Sequence, residues 1–195
     1  MSALMEILAS SLGRSAVDQI SSKLGLQPST TGRIVQAAIP LLVSALARNS
    51  STPSGATALQ NALSKDHDGS VLDDVLGFLG SSEQGPGAGI LRHVLGDQQS
   101  GVQATLGRTA GVDEGQAGQI LAMVAPLVMG ALGKQTSQEG LDAGGLAQLL
   151  QGETQAAQKA EPDLMGSILG MLDQNKDGSV IDDVSSLLGK FLKPR

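Results

Sequence analysis

The fold class this sequence predicts is all-α: a helical bundle built from two related, duplicated halves, with no sheet. Three observations predict it. Apolar residues recur at spacings of three and four along almost every periodic stretch, which puts them on one face of a helix. No stretch of useful length alternates apolar and polar residues, as a half-buried strand would. Landmarks of the first half return in the second at a constant distance.

The elements follow in order. Leu4, Ile7, Leu8 and Leu12 share one face, and the helix they predict stops at Gly13. Val17, Ile20 and Leu24 make a second, with Gly25 as its cap. Ser29 or Thr30 opens a long helix through Ile34, Ile39, Leu42 and Leu46. Thr52-Pro53 reads as N-cap and first-turn proline of a helix to about Leu63. Another is expected from Val71 to Leu79, followed by a linker at 81–88.

The second half, 89–195, begins with a short helix that stops at Gly96. Ser100-Gly101-Val102-Gln103 has capping-box spacing and opens the next. Asp113 caps a long helix through Ile120, Val124, Leu127 and Leu132. Leu141 to Leu150, Pro162 to Leu172 and Val180 to about Leu192 complete the set.

Gly32 and Gly118 lie 86 residues apart, as do Pro40 and Pro126. Two acidic phrases lie 109 apart, so the second half carries roughly 23 extra residues, placed near 135–162. The halves, 1–80 and 89–195, are expected to share one core, because each alone would bury little surface. Ala37 to Ala47 and Ile120 to Gly133 are apolar nearly all round, which predicts burial on every side. Each contains one of the paired prolines, which remove a helical hydrogen bond and kink the helix. The structural reading is a helix wrapped around the core. The functional one is a hinge, or a partner groove lined by Met123 and Met129.

Composition excludes several function classes. Of 195 residues, 41% are hydrophobic, enough for a core, but only two are Phe and none is Tyr or Trp, so the core is aliphatic. A net charge of −6 without a Lys/Arg cluster disfavours nucleic acid and anionic membrane surfaces. The absence of cysteine removes disulfides, zinc-thiolate sites and a cysteine nucleophile. The start, Met1 to Glu6, lacks a basic region before an apolar stretch, and the longest apolar runs are short for a bilayer span. A cytoplasmic protein is therefore expected.

The acidic phrases are the only candidates for chemistry. Asp173-x-Asn175-x-Asp177-Gly178 has the spacing of the first half of a calcium loop, whose sixth position needs a residue without Cβ. Ser179 would add a carbonyl and Val180 the apolar anchor. The bidentate Glu expected at the twelfth position is Val184, with Asp182 and Asp183 just before it. The arrangement resembles shortened calcium loops of some bacterial proteins more than a regular EF-hand. The first copy offers Asp66, Asp68, Ser70, Asp73 and Asp74, with Ser64 where the leading carboxylate would stand. Fewer carboxylates mean weaker binding of a hard dication. Caps and turns compete as an explanation. Ser70-x-x-Asp73 and Ser179-x-x-Asp182 have capping-box spacing, and Asp-Gly is a common turn.

Signals of catalysis are poor. His67 and His93 have no nucleophile motif around them, and His67, at the fourth loop position, is expected to face solvent. Gly85-Pro86-Gly87-Ala88-Gly89 follows no strand and is not a phosphate loop.

The run Gly118 to Gly133, the run Leu141 to Leu150 and the two D-G-S-V-[LI]-D-D-V phrases resemble a bacterial family of uncharacterised proteins, domain of unknown function 937, related to YidB-like proteins. The resemblance covers nearly the whole chain. It implies a helical bacterial protein and supplies no catalytic residue. The expected function is a non-enzymatic binding or scaffold protein with one or two calcium-like loops and calcium as the candidate cofactor. The alternative is a metal-free module that self-associates or binds a partner helix. A helix-turn-helix DNA binder or an enzyme ranks below both.

Overall fold

Residues 3–81, 86–160 and 162–172 are described by a computed structural model, and all their regular structure is helical. In chain order the α-helices are α1 (Ala3–Ser11), α2 (Arg14–Leu24), α3 (Pro28–Asn49), α4 (Pro53–Asp66), α5 (Val75–Ser81), α6 (Gly87–Leu95), α7 (Gln99–Ala110), α8 (Glu114–Glu139), α9 (Ala143–Ala160) and α10 (Pro162–Leu172). Short 3-10 turns, Ser70–Leu72 and Gly96–Gln98, precede α5 and α7.

The ends of these helices follow local chemistry. Gly25 and Gly111 adopt φ of 65° and 76° at the ends of α2 and α7, a left-handed conformation that glycine adopts without a Cβ penalty. The Thr52 hydroxyl accepts the Gly55 N–H and starts α4 just before Pro53. Asp113 and Gln116 form a reciprocal capping box on α8.

Several helix bounds differ from expectation, and α9, expected from Leu141 to Leu150, runs from Ala143 to Ala160. The long helix α3 begins at Pro28 rather than Ser29 or Thr30, because proline's preset φ and missing N–H suit the first helical position. Ser100 lies inside α7, which grows out of the 3-10 turn before it, so its capping-box spacing does not mark a cap. The helix expected from Val71 to Leu79 is split into the 3-10 turn and α5. Of the expected linker, Ser81 belongs to α5, and Gly87 and Ala88 belong to α6. The Val180 to Leu192 helix lies outside the described residues.

α3 and α8 pack on each other and carry the rest of the fold. α1, α6 and α7 lie on α8; α2 packs on α3 and α5; α9 crosses α3 and α4; α10 rests on α3 and α9. Both central helices run through their prolines, Pro40 and Pro126, and both prolines are buried. The Pro126 ring leaves the Ala122 carbonyl without its helical N–H partner. α6 approaches that carbonyl so closely at Gly87 that a Cβ there would collide with it. Buried apolar side chains from α1 to α10 form one cluster, with Leu41, Leu42, Ile120, Leu121 and Leu127 almost wholly removed from solvent.

By length and composition alone α3 and α8 would cross a bilayer, which the short apolar runs did not suggest. The apolar windows of α3 and α8 are 56% and 67% buried by the rest of the protein, as core helices are.

Candidate functional site

The first acidic phrase follows α4 and is seated on the C-terminal half of α8. Two glycines of α8 make the seat. A Cβ at Gly133 would collide with the His67 carbonyl oxygen, and one at Gly130 would lie 2.5 Å from a Val71 methyl. From the loop side Gly69, at φ 101°, comes so close that a Cβ would stand 2.9 Å from the Lys134 Cβ. At Gly133 and Gly69 the loop backbone and the helix backbone therefore meet directly.

The carboxylates of the phrase turn to backbone donors. Asp68 Oδ1 accepts the Ser70 N–H at 3.0 Å and closes a turn around Gly69. Asp74 Oδ1 accepts the Gly77 N–H at 2.8 Å and so caps α5. The cap is thus Asp74, not Ser70, and the Ser70-x-x-Asp73 box does not form. Its reason is the turn itself: the Ser70 N–H is already held by Asp68, and Gly69 O and Ser70 O take the Leu72 and Asp73 N–H groups as a 3-10 turn. The Ser70 N–H, and after it the Ser70 hydroxyl, hold Asp68 below the usual carboxylate range.

Asp66 is the last residue of α4 rather than a loop residue. His67, expected to face solvent, is half-buried where the chain leaves that helix. Burial pushes its imidazole below the ordinary value of 6.5, against an opposing pull from the Asp66 carboxylate. His93 is exposed on α6, its Nδ1 3.3 Å from Gly89 O.

The five candidate ligands of this phrase divide between two clefts. Asp66, Asp68 and Ser70 line one of about 600 Å³ with Phe78 and Pro126. Asp73 and Asp74 line another of about 460 Å³ with Arg14 and Ser15. Among the described residues no group of three or more His, Asp or Glu side chains is placed to hold a metal ion. The second loop's candidates, Asp173, Asn175, Asp177, Ser179, Asp182 and Asp183, lie outside the described residues.

A third space, about 520 Å³, runs between α4 and α6. Leu46, Leu59, Val94 and Met129 give it an apolar base, and Asp66, His67 and His93 reach it as well. Asp66 and His67 thus stand between two clefts. The sequence reading singled out Met129 as a groove residue but tied neither histidine to it. Gly130 and Gly133 were missed as a seat, although their separation by three puts them on one side of a helix.

A family model described as "Bacterial protein of unknown function (DUF937)" matches residues 6–135. No curated protein and no solved structure matches the chain.

Proposed function

This chain belongs to the bacterial family of unknown function DUF937, and we propose that it is a non-enzymatic binding or scaffold protein whose acidic phrases brace helix junctions. The observation that carries this reading is the seating of Asp66–Asp74 on Gly130 and Gly133 of α8. Its carboxylates at Asp68 and Asp74 hold the backbone of the turn and of α5, which fixes where α5 leaves α4.

We read the chain as two related halves, and the element order supports this. α2, Gly25 and α3 with Pro40 are followed by α7, Gly111 and α8 with Pro126. α4 and α10 each begin at a proline, 109 residues apart like the acidic phrases that follow them. α4 packs on α8, and α10 packs on α3. In this reading the added length of the second half is the end of α8 together with α9.

Calcium belongs to the proposal at the second phrase, on spacing alone. Asp173, Asn175, Asp177 and Asp182 or Asp183 would neutralise the cation, and Ser179 would add its carbonyl. Thermal melts of the wild type and of Asp177→Asn in calcium, magnesium and chelator test it. A ligand at a hundredfold excess over its Kd stabilises by about 2.7 kcal/mol. Calcium should raise the wild-type Tm and leave the variant's unchanged; equal wild-type Tm in all three conditions sinks the calcium brace.

A second reading, a module that self-associates or binds a partner helix without metal, is favoured by Leu76, a large apolar side chain on α5 that is 46% exposed. Sedimentation of the wild type and of Leu76→Ser would separate the two, since a monomer in both counts against self-association.

A further inference from the structure

The groove between α4 and α6 is built before any ligand arrives. Asn49 Nδ2 donates to His93 O at 3.3 Å and to Val94 O at 3.0 Å, tying the end of α6 to the end of α3. The base is apolar and buried: Leu46 is 3% exposed and Met129 4%. Its volume, about 520 Å³, falls within the roughly 300–1,000 Å³ typical of small-molecule sites.

Charge selects the class of ligand. The ends of α3 and α6 meet at the Gly55 end of the groove, where Asn49 joins them, and the last turn of α4 brings Asp66 to the other end. A helix C-terminus carries partial negative charge, roughly half an elementary charge, and favours a cation. The Asp66 carboxylate adds a full negative charge, and among the described residues no lysine or arginine lines the space.

We propose that this groove binds a small primary amine with an apolar tail, its ammonium beside Asp66 and its tail over Leu46, Leu59, Ala62 and Met129. An ammonium donates three hydrogen bonds, and the Asp66 carboxylate is a charged acceptor for them. A carboxylate head would meet Asp66 and the negative end of α4, and an alcohol could give Asp66 one hydrogen bond but carries no charge to pair with it. The site goes beyond the brace and needs no calcium.

Calorimetric titration of the full chain with n-octylamine, n-octanol and n-octanoate, all in chelator, tests the proposal. Octylamine should bind saturably and at least about tenfold more tightly than octanoate. Ala58→Leu, at an exposed position on the groove wall, and Ala62→Leu, beneath it, should each weaken octylamine by about tenfold or more by filling the space. Asp66→Asn should bring octylamine to within about threefold of octanol. Thermal melts confirm that each variant folds, and Ala58→Leu keeps the test valid if another does not. Octanoate binding as tightly as octylamine, octylamine binding unchanged by Ala58→Leu, or no saturable binding of any of the three overturns the proposal. Because chelator is present throughout, neither result depends on the calcium brace.

Discussion

At Gly133 a single added methyl group would strike the His67 carbonyl and lift the acidic loop from α8. Backbone cannot rotate away as a flexible side chain can, so Gly133→Ala should destabilise by roughly 1–3 kcal/mol in urea unfolding. Gly152→Ala is the contrast. That glycine is exposed within α9 with nothing near its missing Cβ, so the substitution should stabilise by roughly 0.5–1 kcal/mol. A loss of equal size at both positions would refute the seat. His67 and Asp68 make acid sensitivity a residue-scale property. Both have folded pKa values below their unfolded ones, so the unfolded chain takes up protons first. The His67 contribution is present above the ordinary imidazole value of 6.5 and is lost as pH falls below it towards the folded value. The Asp68 contribution is lost in a second window, below the ordinary carboxylate value of 3.8. Unfolding free energy measured across the first window should fall less steeply for His67→Gln than for the wild type; parallel profiles would refute the assignment.

Among the elements, the segment from the acidic phrase to α5 separates two explanations of one motif. Capping-box spacing points to Ser70, but the structure assigns the cap to Asp74 through the Gly77 N–H. Asp74→Ala should therefore cost about 1 kcal/mol, the usual loss for a missing N-cap. Ser70→Ala should stay within about 0.5 kcal/mol, as an exposed substitution does. The opposite order in chemical denaturation would restore the sequence assignment. The motif was legible as a helix start, yet its register was not. D-G-S-V-L-D-D offers several oxygens at capping distance, and the choice among them depends on the turn that α8 imposes through Gly130 and Gly133. By contrast the caps at Thr52 and Asp113 were readable, the first because Pro53 marks the first helical position.

Across the whole molecule, α3 and α8 make the centre, and every other described helix packs on one of them or on a helix that does. Both prolines are buried there, and at Pro126 α6 covers the freed Ala122 carbonyl. Buried side chains from both halves belong to one cluster. Scanning calorimetry should accordingly give a single transition whose calorimetric and van't Hoff enthalpies agree. Two resolved transitions, each assigned to one half by the effects of Leu42→Ala and Leu127→Ala, would show independent cores.

The sequence by itself determined the helical class, most helix positions and the aliphatic core. Those depend on periodicity and on local capping chemistry, which act over a few residues and are written there directly. Only the tertiary structure decided that His67 is half-buried, that the first phrase's carboxylates divide between two clefts, and that Asp66, His67 and His93 share a groove with Met129. Their meeting depends on how closely two backbones approach, here at Gly133 and Gly87 of α8 and α6, and on which helix ends converge. No spacing within one helix encodes that distance, because it is set by the side chains absent from the facing one.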